Sequence, residues 1–181
     1  MLSLDYWEKA ACFHGHKCPG LAIGFKACEG ALAELQLDAS DLPSVDEELV
    51  CVTENDACGV DAVQVLLGCS YGKGNLIPRL RGKMAFSFFA RKSGRCVRLS
   101  LKSDCGAGLA RQEYQDYLLS TPYTALFDIS EPTYGLPERA RMFDSQLCAV
   151  CGEKTAEYAL RIQNGKSVCL DCYDAYQREG F

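Results

Sequence analysis

Two pairs of cysteines near the C-terminus are the residues best suited to holding a metal. The pairs are Cys148-Ala-Val-Cys151 and Cys169-Leu-Asp-Cys172, with 17 residues between them. Four converging thiolates form a closed tetrahedral site that suits Zn2+, and the alternative is four buried reduced cysteines. Disulfides are less favoured in a cysteine-rich chain without a secretory signal. Because four thiolates leave no open coordination position, we expect this site to stabilise the fold and not to perform chemistry.

The two histidines of the chain lie beside a cysteine, in the segment His14-Gly15-His16-Lys17-Cys18. Imidazole and thiolate together suit zinc or a related metal. Cys18 and Cys58 each precede a predicted helix, and a helix N-terminus stabilises a thiolate. We therefore predict that His16, Cys18 and Cys58 bind one ion and leave a fourth position for water or substrate, as catalytic zinc sites do.

Each neighbouring polar residue has more than one interpretation. His16 could instead cap a loop, with both cysteines in the core. His14 is expected to orient the site or to hydrogen-bond the backbone. Asp61 is a candidate base or hydrogen-bond acceptor, although capping the helix start is equally favoured. Lys73 lies in a glycine-rich loop that is not a P-loop, because G-x-x-x-x-G-K-[ST] is absent. We favour a tight turn there, with Lys73 as a candidate for positive charge at the rim of a pocket.

Hydrophobic periodicity predicts the elements that would position these residues. Apolar residues at helical spacing predict helices over residues 4–13, 19–37, 59–67 and 109–119. A strand is predicted over residues 48–53. Alternating apolar residues predict a β-hairpin whose two strands flank Lys92-Ser93-Gly94. The predicted fold class is therefore α+β, with a mixed β-sheet packed with helices.

The C-terminal cysteines are predicted to lie in a domain of their own. We expect a metal-binding domain over residues 1–145 and a four-cysteine zinc finger over residues 146–181. In the finger, a C-x-x-C turn precedes a hairpin around Asn164-Gly165, and the second C-x-x-C precedes a predicted helix over residues 173–178. This order resembles a treble-clef or ribbon zinc finger.

Length and composition limit the class of protein. The chain has 181 residues, of which 48% are hydrophobic, and its net charge is −5. No apolar run is long enough to span a membrane and no signal peptide is recognised, so a cytoplasmic location with reduced thiols is expected. From residue 146 onward, four basic residues stand against five acidic ones. A surface that binds a phosphate backbone is clearly basic, so a nucleic-acid partner is disfavoured.

Three motifs, in this order, resemble the family of the formylmethanofuran dehydrogenase E subunit. They are Phe13-His14-Gly15-His16-Lys17-Cys18-Pro19-Gly20-Leu21, Cys58-Gly59-Val60-Asp61-Ala62-Val63-Gln64 and Gly72-Lys73-Gly74-Asn75-Leu76. The resemblance covers nearly the whole chain, and the C-terminal cysteine finger is similar to that of many members.

The resemblance implies an α+β fold, a homodimer and metal binding at His16, Cys18 and Cys58. The family takes its name from a molybdenum or tungsten enzyme that reduces CO2, so oxidoreductase subunits are possible partners and a role related to methanogenesis is implied. The chain has no pterin-binding domain and no ferredoxin-type cysteine run, so it is not expected to reduce CO2 by itself.

These observations favour a metal-binding accessory protein. Its N-terminal site would hold zinc or another transition metal, such as iron, for a small ligand or substrate, and its C-terminal site would hold structural zinc. The alternative is a non-catalytic, zinc-dependent interaction module. The sequence assigns no reaction.

Overall fold

The computed structural model describes residues 2–38, 40, 42–176 and 178. The chain divides into two compact units, Met1–Ala140 and Arg141–Phe181, which we call the main unit and the finger unit. This division precedes the boundary expected after residue 145. Within the described residues, no helix has the length and apolar character needed to cross a membrane.

Two consecutive helices open the main unit, and their junction forms one wall of the site discussed below. Helix α1 (Leu4–His14) ends at Gly15, whose φ of 89° is readily adopted by glycine, and the Gly15 N–H donates to the Ala11 carbonyl. Helix α2 (Pro19–Leu35) begins after Cys18, whose sulfur accepts the Leu21 N–H, and Pro19 occupies the first turn. The end of α1 and the start of α2 are therefore fixed within a few residues of each other.

A five-stranded mixed sheet supports these helices. Its strands are β1 (Leu49–Thr53), β2 (Leu76–Pro78), β3 (Ala85–Ala90), β4 (Cys96–Leu101) and β5 (Phe127–Ser130). Their order is β2-β1-β3-β4-β5, in which β1 and β2 are parallel and the other neighbours antiparallel. The α+β class with a mixed sheet is thus confirmed. Strands β2 and β5 were not predicted, because both are short and form only through pairing with distant strands.

Three further helices complete the main unit. Helix α3 (Gly59–Ala62) follows β1 and continues as a π-helical segment over Val63–Leu67. Helices α4 (Arg111–Ser120) and α5 (Tyr123–Leu126) lie between β4 and β5 in the chain. The helix predicted over residues 59–67 is therefore present, with an irregular second half, a feature found often at functional sites.

The two faces of the sheet are covered differently. Cys51, Phe88 and Leu99 belong to the main core, together with the buried residues of α2. The opposite face carries a smaller cluster of Val50, Val52 and Phe89, against which Tyr134 packs. This alternation follows the two-residue period of a strand, so a residue next to a core position, such as Arg98, lies on the second face.

Helix α2 is buried almost all round and contains an ion pair in the core. Lys26 is 1% exposed and pairs with Glu29, which also accepts the Leu2 N–H at 2.9 Å. Pairing of this kind is required for a buried charge, since an isolated one would be strongly destabilising.

The finger unit consists of two short β-hairpins. Strands β6 (Ser145–Leu147) and β7 (Lys154–Ala156) enclose the first C-x-x-C pair, and β8 (Leu160–Gln163) and β9 (Lys166–Cys169) precede the second. The predicted turn at Asn164-Gly165 joins β8 to β9. The helix predicted over residues 173–178 is absent from residues 173–176, so the described part is of the ribbon type and not a treble clef.

Candidate metal centre

His14, Cys18 and Cys58 converge in the main unit. Their ligand atoms all lie within 4.8 Å of one another. His14 Nε2 is 3.8 Å from Cys18 Sγ. A tetrahedral zinc ion would separate a nitrogen and a sulfur ligand by about 3.6 Å, given ordinary Zn–N and Zn–S bond lengths. The three side chains therefore fit around a single ion with only small adjustment.

The histidine in this group is His14, whereas the sequence motif led us to predict His16. His14 is the last residue of α1, and the left-handed turn at Gly15 carries the chain away immediately after it. His16 lies beyond that turn and is exposed, with its ring centroid 4.5 Å from the ring centroid of His14. The spacing of the motif could not distinguish the two histidines, because the choice depends on where α1 ends.

Asp61 fixes the orientation of His14. The distance from His14 Nδ1 to Asp61 Oδ2 is 2.7 Å, and Gln64 Nε2 donates to the other carboxylate oxygen at 3.2 Å. A carboxylate on one ring nitrogen leaves the other nitrogen for a metal and makes it a better ligand. Of the roles considered for Asp61, the structure therefore places it as a hydrogen-bond acceptor at the site.

Glycines allow the two cysteine-bearing segments to approach each other. A Cβ atom on Gly24 would lie 2.1 Å from the Gly59 carbonyl oxygen, so α2 and α3 touch backbone to backbone. A Cβ atom on Gly20 would lie 3.2 Å from Cys58 Cβ and 3.5 Å from its sulfur. Glycine at position 20 therefore brings no side chain into the space beside the two sulfurs.

The thiol of Cys58 is protonated more readily than a free cysteine. Burial raises its pKa, and its hydrogen bond with Cys18 and the charge of that thiol raise it further. A metal binds the thiolate, so metal binding would displace this proton and would weaken at acidic pH.

Lys73 is not part of this group. Its Nζ donates to the Ser44 carbonyl at 2.8 Å and so holds the loop that precedes β1. Asn75 acts in the same region, where its side-chain amide donates to the carbonyls of Asp46, Leu49 and Gly68. The glycine-rich loop is therefore a structural brace, in agreement with the turn that was favoured.

The four cysteines of the finger unit form a second group. The ligand atoms of Cys148, Cys151, Cys169 and Cys172 also lie within 4.8 Å of one another. The Sγ atoms of Cys151 and Cys169 are 3.9 Å apart, close to the separation of about 3.8 Å that a tetrahedral zinc site requires. The backbone N–H of Cys169, followed by those of Cys151 and Val150, lowers the pKa of Cys148 to about 6. These amides favour the thiolate that zinc binds.

Comparisons with known proteins agree with this division. The family described as FmdE, molybdenum formylmethanofuran dehydrogenase operon, matches residues 13–125, and the prokaryotic dksA/traR C4-type zinc finger matches residues 141–178. The second match supports zinc as the ion of the C-terminal site.

One similar protein is a probable S-adenosyl-L-methionine-binding protein of Archaeoglobus fulgidus, 26% identical over 196 aligned residues. The match covers 93% of this chain but 52% of the relative, so the chain spans about half the length of that protein.

A similar solved structure is the crystal structure of an FmdE-like protein of the tungsten formylmethanofuran dehydrogenase type from Syntrophus aciditrophicus. Its TM-score is 0.60 at 24% identity, and the match covers 93% of this chain and 90% of that one. This likeness supports the fold.

The FmdE match contains all three residues of the N-terminal group, and it spans more than half of the chain. The chain therefore belongs to the FmdE family and carries a C4-type zinc finger after its FmdE domain.

Proposed function

We propose that the main unit is a metal-dependent accessory domain that presents one ion to a small ligand or substrate. His14, Cys18 and Cys58 would hold zinc or iron, both of which accept imidazole and thiolate. The observation that carries the proposal is the convergence of three ligands beside Gly20, which adds no side chain next to the sulfurs. Three protein ligands leave a coordination position for a molecule from solvent.

The residues around the ion would have separate tasks. A bound metal would supply a Lewis acid able to polarise a ligand or to acidify water. Asp61 holds the His14 ring in place through Nδ1. His16 is exposed and stacks against His14, so it is available to a ligand that approaches from solvent.

The finger would serve the main unit as a brace or as a docking element. Four thiolates leave no open position, which supports a structural role for its zinc. The alternative function, a zinc-dependent interaction module, is favoured by the exposed apolar side chains of Leu147, Val150 and Ile162.

Partners and ligands follow from the family and from relatives. We propose that the chain acts as a homodimer in the cytoplasm and works with subunits of an oxidoreductase. The relative from Archaeoglobus fulgidus makes S-adenosyl-L-methionine a ligand to test. Its amino and carboxylate groups have the chemistry to occupy an open metal position.

Metal analysis combined with cobalt spectroscopy tests the open site. Protein purified without added metal should contain two ions per chain, and Cys18→Ser should contain one while its circular dichroism spectrum is unchanged. Cys12→Ser is the matched control, because Cys12 is exposed and belongs to neither group, and it should retain both ions. In the cobalt-loaded protein, azide or S-adenosyl-L-methionine should change the visible spectrum of the main-unit site alone.

Two results would count against this function. One is a cobalt spectrum that is insensitive to every added ligand, as expected of a sealed four-coordinate site. The other is loss of folding in Cys18→Ser, which would assign the N-terminal ion to structure.

A further inference from the structure

A basic cavity lies on the face of the sheet opposite the helices. Its volume is about 320 Å³, and it is formed where β1, β2, β4 and β5 come together. The residues around it are Glu54, Arg79, Arg81, Lys83, Arg98, Ser130, Glu131 and Thr133. Four cations thus face two carboxylates, in a chain whose net charge is −5. Such a concentration of positive charge in an acidic protein attracts anions to this position.

One carboxylate of the cavity is already satisfied. Arg98 donates to both oxygens of Glu54, at 2.7 and 3.0 Å, in a two-pronged pair. The hydrogen bond from Arg98 holds the pKa of Glu54 below its ordinary value, and the charges of Lys83 and Arg79 contribute to the same shift. The Arg98–Glu54 pair therefore forms a fixed floor, and its own charges cancel.

The remaining three cations have no such partner. In the part of the chain that the structure describes, Arg79, Arg81 and Lys83 form no ion pair with a carboxylate, Glu131 of the same cavity included. Their mutual repulsion is unfavourable unless an anion joins them.

The backbone that carries the three cations is held in place. The Arg79 N–H donates to the Thr53 carbonyl, and the N–H groups of Arg81 and Lys83 both donate to the Glu54 carbonyl, at 2.9 and 3.3 Å. This segment turns at Gly82, whose φ is 66°. The three side chains consequently leave a fixed turn at one end of the cavity and do not belong to a freely moving loop.

The guanidinium of Arg79 is also oriented by an aromatic ring. Its Cζ lies 4.4 Å from the centroid of the Tyr134 ring, and the Tyr134 hydroxyl donates to Ser87 Oγ at 2.9 Å. A guanidinium stacked by its face keeps its N–H groups free at the edge. Planar N–H groups at an edge match two oxygens of a phosphate or a carboxylate.

We propose that this cavity binds the phosphate group of a small phosphorylated molecule or free phosphate. Three uncompensated cations suit a dianion better than a singly charged carboxylate, and Ser130 and Thr133 add hydroxyl groups beside them. The enclosed volume fits a small molecule, whereas a nucleic-acid strand needs an extended basic track. The cavity shares no residue with the His14, Cys18 and Cys58 group, so this proposal stands apart from the function proposed above.

Isothermal titration with inorganic phosphate and with glycerol phosphate tests the proposal and distinguishes the two sources. We expect saturable binding at low ionic strength that weakens as salt is added. Acetate should bind more weakly than either probe. Tighter binding of glycerol phosphate than of inorganic phosphate would indicate a phosphorylated metabolite, and equal affinities would indicate the free ion.

Two variants of equal charge change provide the control. Arg79→Gln combined with Lys83→Gln should weaken phosphate affinity by about tenfold or more, because two charge-assisted contacts are removed. Arg95→Gln combined with Lys92→Gln changes one arginine and one lysine that are exposed in the turn between β3 and β4, and it should leave the affinity within about twofold. Thermal melting of both variants checks that each remains folded.

The proposal is overturned if wild-type protein shows no saturation at about 10 mM phosphate. Equal weakening in the two variants would also overturn it, since net charge alone would then explain binding. Tighter binding of a single-stranded oligonucleotide than of either phosphate probe would replace the small-molecule site with a nucleic-acid surface.

Discussion

At the scale of single residues, the metal group depends on a small difference between two histidines. His14 faces Cys18 and Cys58 because it is the final helical residue before Gly15 reverses the chain. His16, two positions later, is exposed. Asp61 completes the arrangement by accepting from the far side of the His14 ring. The identity of the histidine ligand is therefore set by a helix end.

Replacing each histidine separately tests this assignment. His14→Ala should lose the main-unit ion, whereas His16→Ala should retain it, because only His14 lies with the two cysteines. Elemental analysis of metal per chain is the measurement. If metal is lost in His16→Ala and kept in His14→Ala, the ligand predicted from the sequence would be restored.

Glu54 predicts a pH dependence of stability. Its pKa in the folded protein is lowered, mainly by the hydrogen bond from Arg98. Its contribution is therefore complete above the ordinary carboxyl pKa and is lost as the pH falls through the lowered value. Because the pair is partly exposed, with 20% of the Arg98 side chain accessible, we expect about 1 kcal/mol.

Urea unfolding between about pH 6 and pH 3 measures this contribution. Wild-type protein should lose stability more steeply than Glu54→Gln across this range. Arg98→Met should flatten the profile in the same way, since it removes the partner that lowers the pKa. Parallel profiles for all three proteins would contradict the expectation.

At the scale of elements, the metal group is built by the contact between α2 and the start of α3. Gly24 and Gly59 meet backbone to backbone, which brings Cys18 and Cys58 together from segments about forty residues apart. The regular helix then becomes π-helical from Val63, just after Asp61 and around Gln64. The irregular turn thus lies next to the two residues that orient His14.

Gly24→Ala tests this contact through the sign of its effect. Helix propensity alone would make alanine stabilising by about 1 kcal/mol in the middle of α2. The added Cβ would instead lie 2.1 Å from the Gly59 carbonyl oxygen, a backbone atom, so we expect a destabilisation of about 2 kcal/mol or more and weaker metal binding.

Gly72→Ala is the matched control, because a Cβ there meets nothing within 4 Å. Its free energy of unfolding should stay close to that of wild-type protein. A stabilised Gly24→Ala variant with full metal content would show that α2 and α3 can separate without harm to the site.

At the scale of the whole molecule, the chain combines two units whose stability has different sources. The main unit has a continuous core between α2 and the sheet. The finger unit has a small core formed by Cys148, Val168 and Cys169, with Cys172 against it. A core of this size cannot stabilise a fold alone, so the finger relies on its metal.

Cys151→Ser should therefore affect the finger unit alone. We expect loss of one ion per chain and rapid amide exchange over residues 141–178, because metal binding and folding are the same equilibrium in such a unit. Amide protection in α2 should be unchanged. Hydrogen exchange followed by mass spectrometry makes both measurements, and loss of protection in α2 would mean that the main unit depends on the finger.

The amino-acid sequence determined the parts of this protein that depend on local patterns. Periodicity predicted α1, α2, β1 and the β3–β4 hairpin, and cysteine spacing predicted the four residues that converge in the finger, because these features arise within short stretches of chain. Tertiary structure decided the rest. It placed His14 in the metal group through the end of α1, formed β2 and β5 through pairing with distant strands, and gathered the basic cavity from four strands. Such features depend on which distant segments meet, and no local spacing records that.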